Sequence, residues 1–272
     1  MRMDARAYEE DLKKKISEKE RDGAFGPDHP ETAALLTRLG SLYVSMSKWK
    51  ESAVILARAL QIHKTHLKAD HPQIPLTLGL LAEACMKIDR HSEVELEFTR
   101  YESKALTDVG PEHPLVGEIK YNIGSFYRLR SRYRESREYY EKSLDIWHKK
   151  LRPDHPRLLS AYTELSGVCR ILGMNEQAES LIKRTIKVRS KVLGEEHGKV
   201  GEHWKELGSF YKNIGKWKES ESALQKSLDI LSKSLGRQNP LLAYLRKAIE
   251  DVQKELATQA QAAAAAQQPK SP

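Results

Sequence analysis

One spacing constrains this chain more than any other feature. The dipeptide His-Pro recurs every 42 residues, at His29-Pro30, His71-Pro72, His113-Pro114 and His155-Pro156. The next two steps of 42 land on His197-Gly198 and Asn239-Pro240. The residue before each is acidic or Gln: Asp28, Asp70, Glu112, Asp154, Glu196 and Gln238. Five units, 29–70, 71–112, 113–154, 155–196 and 197–238, therefore follow one another without insertion or deletion. Self-similarity at such a period marks a repeat architecture, in which each unit is a supersecondary element that cannot bury its apolar face alone.

Each unit reads as two helices. Pro after His sits at the first helical position, where its missing N–H is no loss and its fixed φ suits the helix. In the fifth unit Val200, Trp204, Leu207 and Tyr211 follow at helical spacing, an apolar stripe on one face. A break at Gly173 or Gly215 precedes a second helix, which in the fifth unit carries Trp217, Ser220, Leu224, Ser227, Leu228 and Ile230. Leu193-Gly194 and Leu235-Gly236 read as left-handed caps closing the unit. Stacked hairpins of this kind predict an all-α fold, a right-handed α-solenoid.

Trp204-x2-Leu207-Gly208-x2-Tyr211 resembles the tetratricopeptide signature, and Leu39-Gly40-x2-Tyr43 and Ile123-Gly124-x2-Tyr127 are close copies. The later small-x3-large element is present as Ser52/Leu56, Ser136/Tyr140, Ala178/Ile182 and Ser220/Leu224. Units of 42 residues joined by Phe25-Gly26-Pro27-Asp28-His29-Pro30 or Leu193-Gly194-Glu195-Glu196-His197 are similar to the kinesin light chain subclass of that family. The resemblance covers residues 25 to about 240 and implies a tetratricopeptide-like superhelix. Residues 1–24 are expected to form an N-terminal capping helix, 239–257 a C-terminal capping helix, and 258–272 a disordered low-complexity tail in which Ser271 precedes Pro272. The long heptad coiled coil of kinesin light chains does not precede the repeats, so the chain reads as a fragment, an isoform or an adaptor sharing the repeat.

The units also alternate. Units 1, 3 and 5 share a Gly-Ser-Leu/Phe-Tyr run, then Trp49, Tyr133 or Trp217, whereas units 2 and 4 have Cys85 and Cys169 in place of the Tyr. The chain thus looks like an 84-residue double unit copied twice, plus one further odd copy.

Candidate chemistry is sparse. There is no Gly-rich phosphate loop, G-x-S-x-G elbow or H-E-x-x-H, and the reading is non-enzymatic, without cofactor. No apolar run approaches the ~18 residues that span a bilayer, so no membrane association is expected. Two cysteines in 272 residues are no disulfide framework, which points to a reducing, cytoplasmic setting. Cys85 and Cys169 are expected to be buried, unreactive thiols. The five periodic histidines are expected to cap helices. His63, His66 and His71 lack a supporting carboxylate or cysteine and are not read as a metal site.

The family resemblance places the first helix of each unit on the concave face of the array. Positions 15 residues after each periodic His are Val44, Met86, Arg128, Arg170 and Lys212, with Thr37, Gly79, Tyr121, Thr163 and Lys205 two turns earlier on the same face. Lys87, Leu129, Ile171 and Asn213 flank them, and Asn122 stands where the family commonly grips a bound peptide backbone. The candidate groove is therefore Lys87, Tyr121, Asn122, Arg128, Leu129, Arg170, Lys205, Lys212 and Asn213. Its expected ligand is an acidic linear peptide of a protein partner. By resemblance alone, a microtubule motor or its cargo is such a partner. The net charge of +8 agrees: unit 2 carries −4, whereas units 3 to 5 carry +4, +2 and +3. Two alternatives stand beside this reading. The Arg/Tyr-rich segment 127–140 has the interleaving of a single-strand RNA binder. A scaffold self-associating through its terminal helices is the other.

Overall fold

A computed structural model of the chain describes residues 5–23, 26–68, 70–236 and 239–266. Phe25, Gln238 and the tail 267–272 with Ser271 lie outside the described residues. Among the described residues the elements are twelve helices and no strand. Helix α1 (Ala5–Arg21) precedes five hairpins: α2 (Pro30–Ser45) with α3 (Trp49–His66), α4 (Gln73–Lys87) with α5 (His91–Val109), α6 (Pro114–Leu129) with α7 (Tyr133–Lys150), α8 (Pro156–Ile171) with α9 (Asn175–Leu193), and α10 (Gly198–Asn213) with α11 (Trp217–Ser234). Helix α12 (Pro240–Ala266) follows. The chain divides into two units, Met1–Leu151 with α1 to α7 and Arg152–Pro272 with α8 to α12. Within each, hairpins stack on their neighbours as a helical-repeat solenoid does.

The periodic histidines cap the first helices. In every copy the imidazole Nδ1 accepts the backbone N–H two residues on, at 3.2 Å for His29, 3.3 Å for His71, and 3.2, 3.2 and 3.1 Å for His113, His155 and His197. Each thereby satisfies one of the donors that a helix start leaves without an intrahelical partner. The sixth copy keeps the device with another side chain, Asn239 Oδ1 accepting from Leu241 N at 2.9 Å.

Within each hairpin the connection turns at one residue of positive φ, spaced by 42: Ser47 (58°), Asp89 (63°), Ser131 (56°), Gly173 (72°) and Gly215 (75°). Between repeats, the expectation of left-handed caps at Gly194 and Gly236 is corrected. Gly110 and Gly194 have positive φ but ψ of 164° and 151°, an extended mirror region open essentially to glycine alone. The odd hairpins instead end on an extended Leu: Leu67, Leu151 and Leu235.

The 84-residue alternation has a packing basis. In the odd hairpins Gly40, Gly124 and Gly208 let the second helix come close, and the Oγ of Ser52, Ser136 and Ser220 donates to their carbonyls at 2.9, 2.8 and 2.8 Å. A Cβ at Gly208 would stand 2.6 Å from Leu224 Cγ, and one at Gly124 would stand 2.9 Å from the Tyr140 ring. The even hairpins place Ala82 or Ser166 at this position and Val94 or Ala178 opposite, so no such hydrogen bond forms.

Helices α1 and α12 pack on the first and last hairpins. Helix α1 buries Leu12 and Ile16 against Ala33, Leu36, Leu39 and Tyr43. Helix α12 buries Leu242, Leu245, Ala248, Ile249 and Val252 against Leu224 and Leu231. This last helix does not stop at 257; it continues to Ala266 through a run of Ala, Gln and Thr. Ala carries the highest intrinsic helix propensity, so a low-complexity Ala run prolongs a helix already nucleated by packing.

Candidate functional site

Five of the nine expected groove residues belong to the first unit, on α4 and α6. Lys87 is exposed, with Nζ 5.8 Å from the Trp49 ring centroid. Tyr121 packs within its own hairpin, its ring 5.4 Å from Tyr140 and 5.7 Å from Trp147, so it forms wall rather than a free contact. Asn122 Nδ2 donates to the Pro75 carbonyl at 3.4 Å, tying α6 to α4. Arg128 is half-buried, and Leu129 beside it is 44% exposed.

The other four belong to the second unit, on α8 and α10. Arg170 Cζ lies 6.0 Å from the Phe210 ring, at the outer range of a cation–π contact. Lys212 Nζ lies 3.5 Å from Asp251 of α12, an exposed ion pair of small worth. Lys205 is half-buried and forms no ion pair among the described residues, and Asn213 is exposed. Ile171, next to Arg170, is 58% exposed. The second unit thus offers three cations and an exposed aliphatic side chain on the first helices of its two hairpins.

Other positions assigned to the same face are not available to a ligand. Thr37 is only 3% exposed and sits in a buried polar cluster, its Oγ1 3.0 Å from Thr77 Oγ1 and 3.3 Å from His63 Nε2. Val44 and Met86 pack against the apolar core. Burial, with a smaller contribution from nearby His71, brings His63 down to about 4, which keeps its ring neutral.

A second constellation escaped sequence reasoning, although the 84-residue period carried its tyrosines, its cations and two of its three carboxylates. Tyr43, Tyr127 and Tyr211 each donate a phenolic hydrogen bond to a carboxylate of the preceding helix: Glu9 at 3.0 Å, Glu95 at 3.0 Å and Glu179 at 2.8 Å. A cation from the following turn completes each set. Lys48 reaches Glu9 at 2.8 Å, Arg132 reaches Glu95 at 3.4 Å and Lys216 reaches Glu179 at 2.9 Å. The same cations lie over the tyrosine rings, at 5.1, 4.4 and 5.7 Å from the centroids. Hydrogen bonds from the flanking lysines hold Glu9 and Glu179 down to about 2. These clamps join consecutive repeats, and at the first hairpin Glu9 of α1 makes the contact that Glu95 of α5 and Glu179 of α9 make later.

The Arg/Tyr segment is consumed by such contacts. Arg130 and Arg132 pair with Glu95, Arg132 also with Glu135, and Tyr127 and Tyr140 are buried. Bases therefore find few free rings there on which to stack. Cys85 and Cys169 are buried thiols, neither in a disulfide. Among the described residues no cluster of His, Cys, Asp and Glu is arranged to hold a metal ion, and no helix is long and apolar enough to cross a membrane.

Comparisons with known proteins agree with this architecture. A family model described as Tetratricopeptide repeat matches residues 115–191, and another of the same description matches residues 32–73. A search of curated proteins found no match. Among solved structures, the chain is similar to a kinesin light chain-type protein of Podosopora anserina with nearly identical TPR-like repeats, at 22% identity and a TM-score of 0.64, over 76% of this chain and 99% of that one. It is similar to BtubC (BKLC) from P. vanneervenii at 14% identity and a TM-score of 0.71, over 87% and 94%. A Rap protein complexed with Competence and Sporulation Factor aligns at 14% identity and a TM-score of 0.56, over 94% and 72%. Residues 32–73 and 115–191 thus match tetratricopeptide-repeat models, and the capped 42-residue hairpins have the fold of these tetratricopeptide-like solenoids.

Proposed function

We propose that the chain is a non-enzymatic protein-interaction module, a cytoplasmic adaptor whose first helices bind an acidic linear peptide of a partner protein. The observation that carries this reading is the presence of Arg170, Lys205 and Lys212 on the first helices α8 and α10, with exposed Ile171 next to Arg170. Their present partners are one aromatic ring and one exposed carboxylate, weak contacts that a ligand carboxylate replaces with charge-assisted hydrogen bonds. Ile171 supplies an apolar contact for a large side chain between the acidic residues. In the first unit Lys87, Asn122, Arg128 and Leu129 offer a similar mixture of polar and apolar groups. A Rap protein of the same fold is solved in complex with a factor, which accords with a binding role for such an array. Association with a motor or its cargo is the extension of this reading that the kinesin light chain neighbours suggest.

The test is fluorescence anisotropy with short labelled peptides rich in Asp and Glu around a Leu or Trp. Reversing charge in Arg170→Glu/Lys205→Glu/Lys212→Glu is expected to abolish binding while leaving helical circular dichroism unchanged. Raising salt is expected to weaken the wild-type complex, since exposed charge contacts are screened. Undiminished binding by the reversed variant would overturn the proposal.

A further inference from the structure

The tyrosine clamp is built at three repeat junctions, and at a fourth it is half-built. Between α3, α4 and α5 the positions equivalent to Glu95, Tyr127 and Arg132 are Ala53, Cys85 and Arg90. The carboxylate and the ring are missing, but the cation is present. Arg90 is held as its counterpart is: Arg90 Nε donates to Glu93 Oε1 at 2.8 Å, and Arg132 Nε donates to Glu135 Oε1 at the same distance. In the complete site that guanidinium lies 4.4 Å from the centroid of the Tyr127 ring.

A second ring is missing too. Tyr139, whose ring packs 5.5 Å from that of Tyr127, corresponds to Glu97, whose carboxylate pairs with Lys64 and Arg100. A cavity of about 360 Å³ lies here, lined in part by the replaced positions Ala53, Cys85 and Glu97. Ala53, Leu60, Leu81, Cys85 and Val94 contribute its apolar lining, and Arg90 and Glu97 are among its polar groups. That size lies in the range of sites that enclose small organic groups. Burial pushes the Cys85 thiol up, so the wall beneath the cavity is uncharged. Leu96, 49% exposed, also belongs to the lining and offers a partner chain an apolar contact.

We propose that this cavity is a docking site for one aromatic side chain of a partner polypeptide, its ring taking the place that Tyr127 occupies in the complete clamp, over the guanidinium of Arg90. The molecule itself supplies the argument for the occupant. In the same surroundings one repeat pair later, the group that fills the space is an aromatic ring under an arginine held in the same way. The site is lined by α3 and α5 as well as α4, and it stands independently of the acidic-peptide reading.

The experiment uses the full chain, isotopically labelled, titrated with N-acetyl-tyrosine methylamide, with the leucine analogue and p-cresol as comparisons. Saturable amide shifts confined to 53–61, 81–85 and 90–100 are expected with the tyrosine compound, at dissociation constants on the order of millimolar. The leucine compound is expected to bind more weakly. Cys85→Tyr, which supplies the missing ring from within, is expected to reduce the affinity by about tenfold or more. Arg90→Gln keeps the cavity and is expected to weaken binding by roughly 2–5-fold, as loss of a cation–π contact does; it decides the matter if Cys85→Tyr fails to fold. Non-saturating shifts, shifts elsewhere, or affinities indifferent to both variants would overturn the proposal. Binding of p-cresol without the amide-capped tyrosine would also overturn it, in favour of a free small phenol.

Discussion

Gly167→Ala and Gly208→Ala are the same substitution in two neighbouring first helices, and the structure predicts opposite signs. Replacing a helical glycine by alanine removes backbone freedom from the unfolded chain and is ordinarily stabilising by about 0.5–1 kcal/mol. At Gly167 nothing stands within 4 Å of the new Cβ, so that gain is expected in full. At Gly208 the Cβ would meet Leu224 Cγ at 2.6 Å, Cδ2 at 2.8 Å and, less yielding, the Leu224 backbone nitrogen at 3.1 Å. Leu224 is 1% exposed and has nowhere to go. Rotating its side chain leaves the backbone contact, so α11 must also move and the Ser220–Gly208 hydrogen bond must stretch. Overpacking of this kind costs about 1–3 kcal/mol, which outweighs the propensity gain and leaves a net loss of about 1–2 kcal/mol. Thermal melts followed by circular dichroism read the difference, at roughly 2–4 °C per kcal/mol for a chain of this size. Gly208→Ala is expected to melt several degrees below wild type and Gly167→Ala slightly above it. A Gly208→Ala variant melting at or above wild type would refute the claim that close helix approach is what selects glycine in the odd repeats.

Other perturbations have equally definite signs. Because the folded chain keeps His63 neutral down to about pH 4 while the unfolded chain protonates near 6.5, stability is expected to fall as pH drops from 6.5 to 4; His63→Leu should flatten that part of the melting-temperature profile. Glu179, held at about 2, contributes stability that is complete above about pH 4.5 and disappears as pH falls through 2, so the gap in melting temperature between wild type and Glu179→Gln should close with acidification. His155→Ala removes the acceptor for the Arg157 N–H and should cost about 0.5–2 kcal/mol in urea denaturation, whereas His155→Asn should remain near wild type, as Asn239 indicates.

Much of this architecture was legible because it repeats. The period set the hairpins, the histidine caps and the Gly40/Gly124/Gly208 stripe, all governed by residues close in the chain. What escaped was contact at a distance. Glu95 and Glu179 stand 32 residues before Tyr127 and Tyr211, and only stacking brings them together. Glu9 reaches Tyr43 from outside the repeats altogether, 34 residues away. Lys212 is expected in the groove from its register alone, and its pairing with Asp251 depends on how α12 lies against the last hairpin. Thr37 shares a helix face with lysines in other repeats yet lies buried, because His63 and Thr77 form a polar cluster around it. The end of α12 was misplaced because an Ala-rich run reads as low complexity when composition is weighed and as helix when propensity is.

The central claim is that the charged faces of the first helices choose an acidic partner, and an unbiased peptide selection tests it most directly. Random peptides displayed on phage and selected on the wild-type chain are expected to converge on sequences with several Asp or Glu around a large apolar residue. The same library selected on Arg170→Glu/Lys205→Glu/Lys212→Glu is expected to lose them. Convergence on neutral or basic sequences, or equal recovery of acidic ones on the reversed variant, would contradict the account.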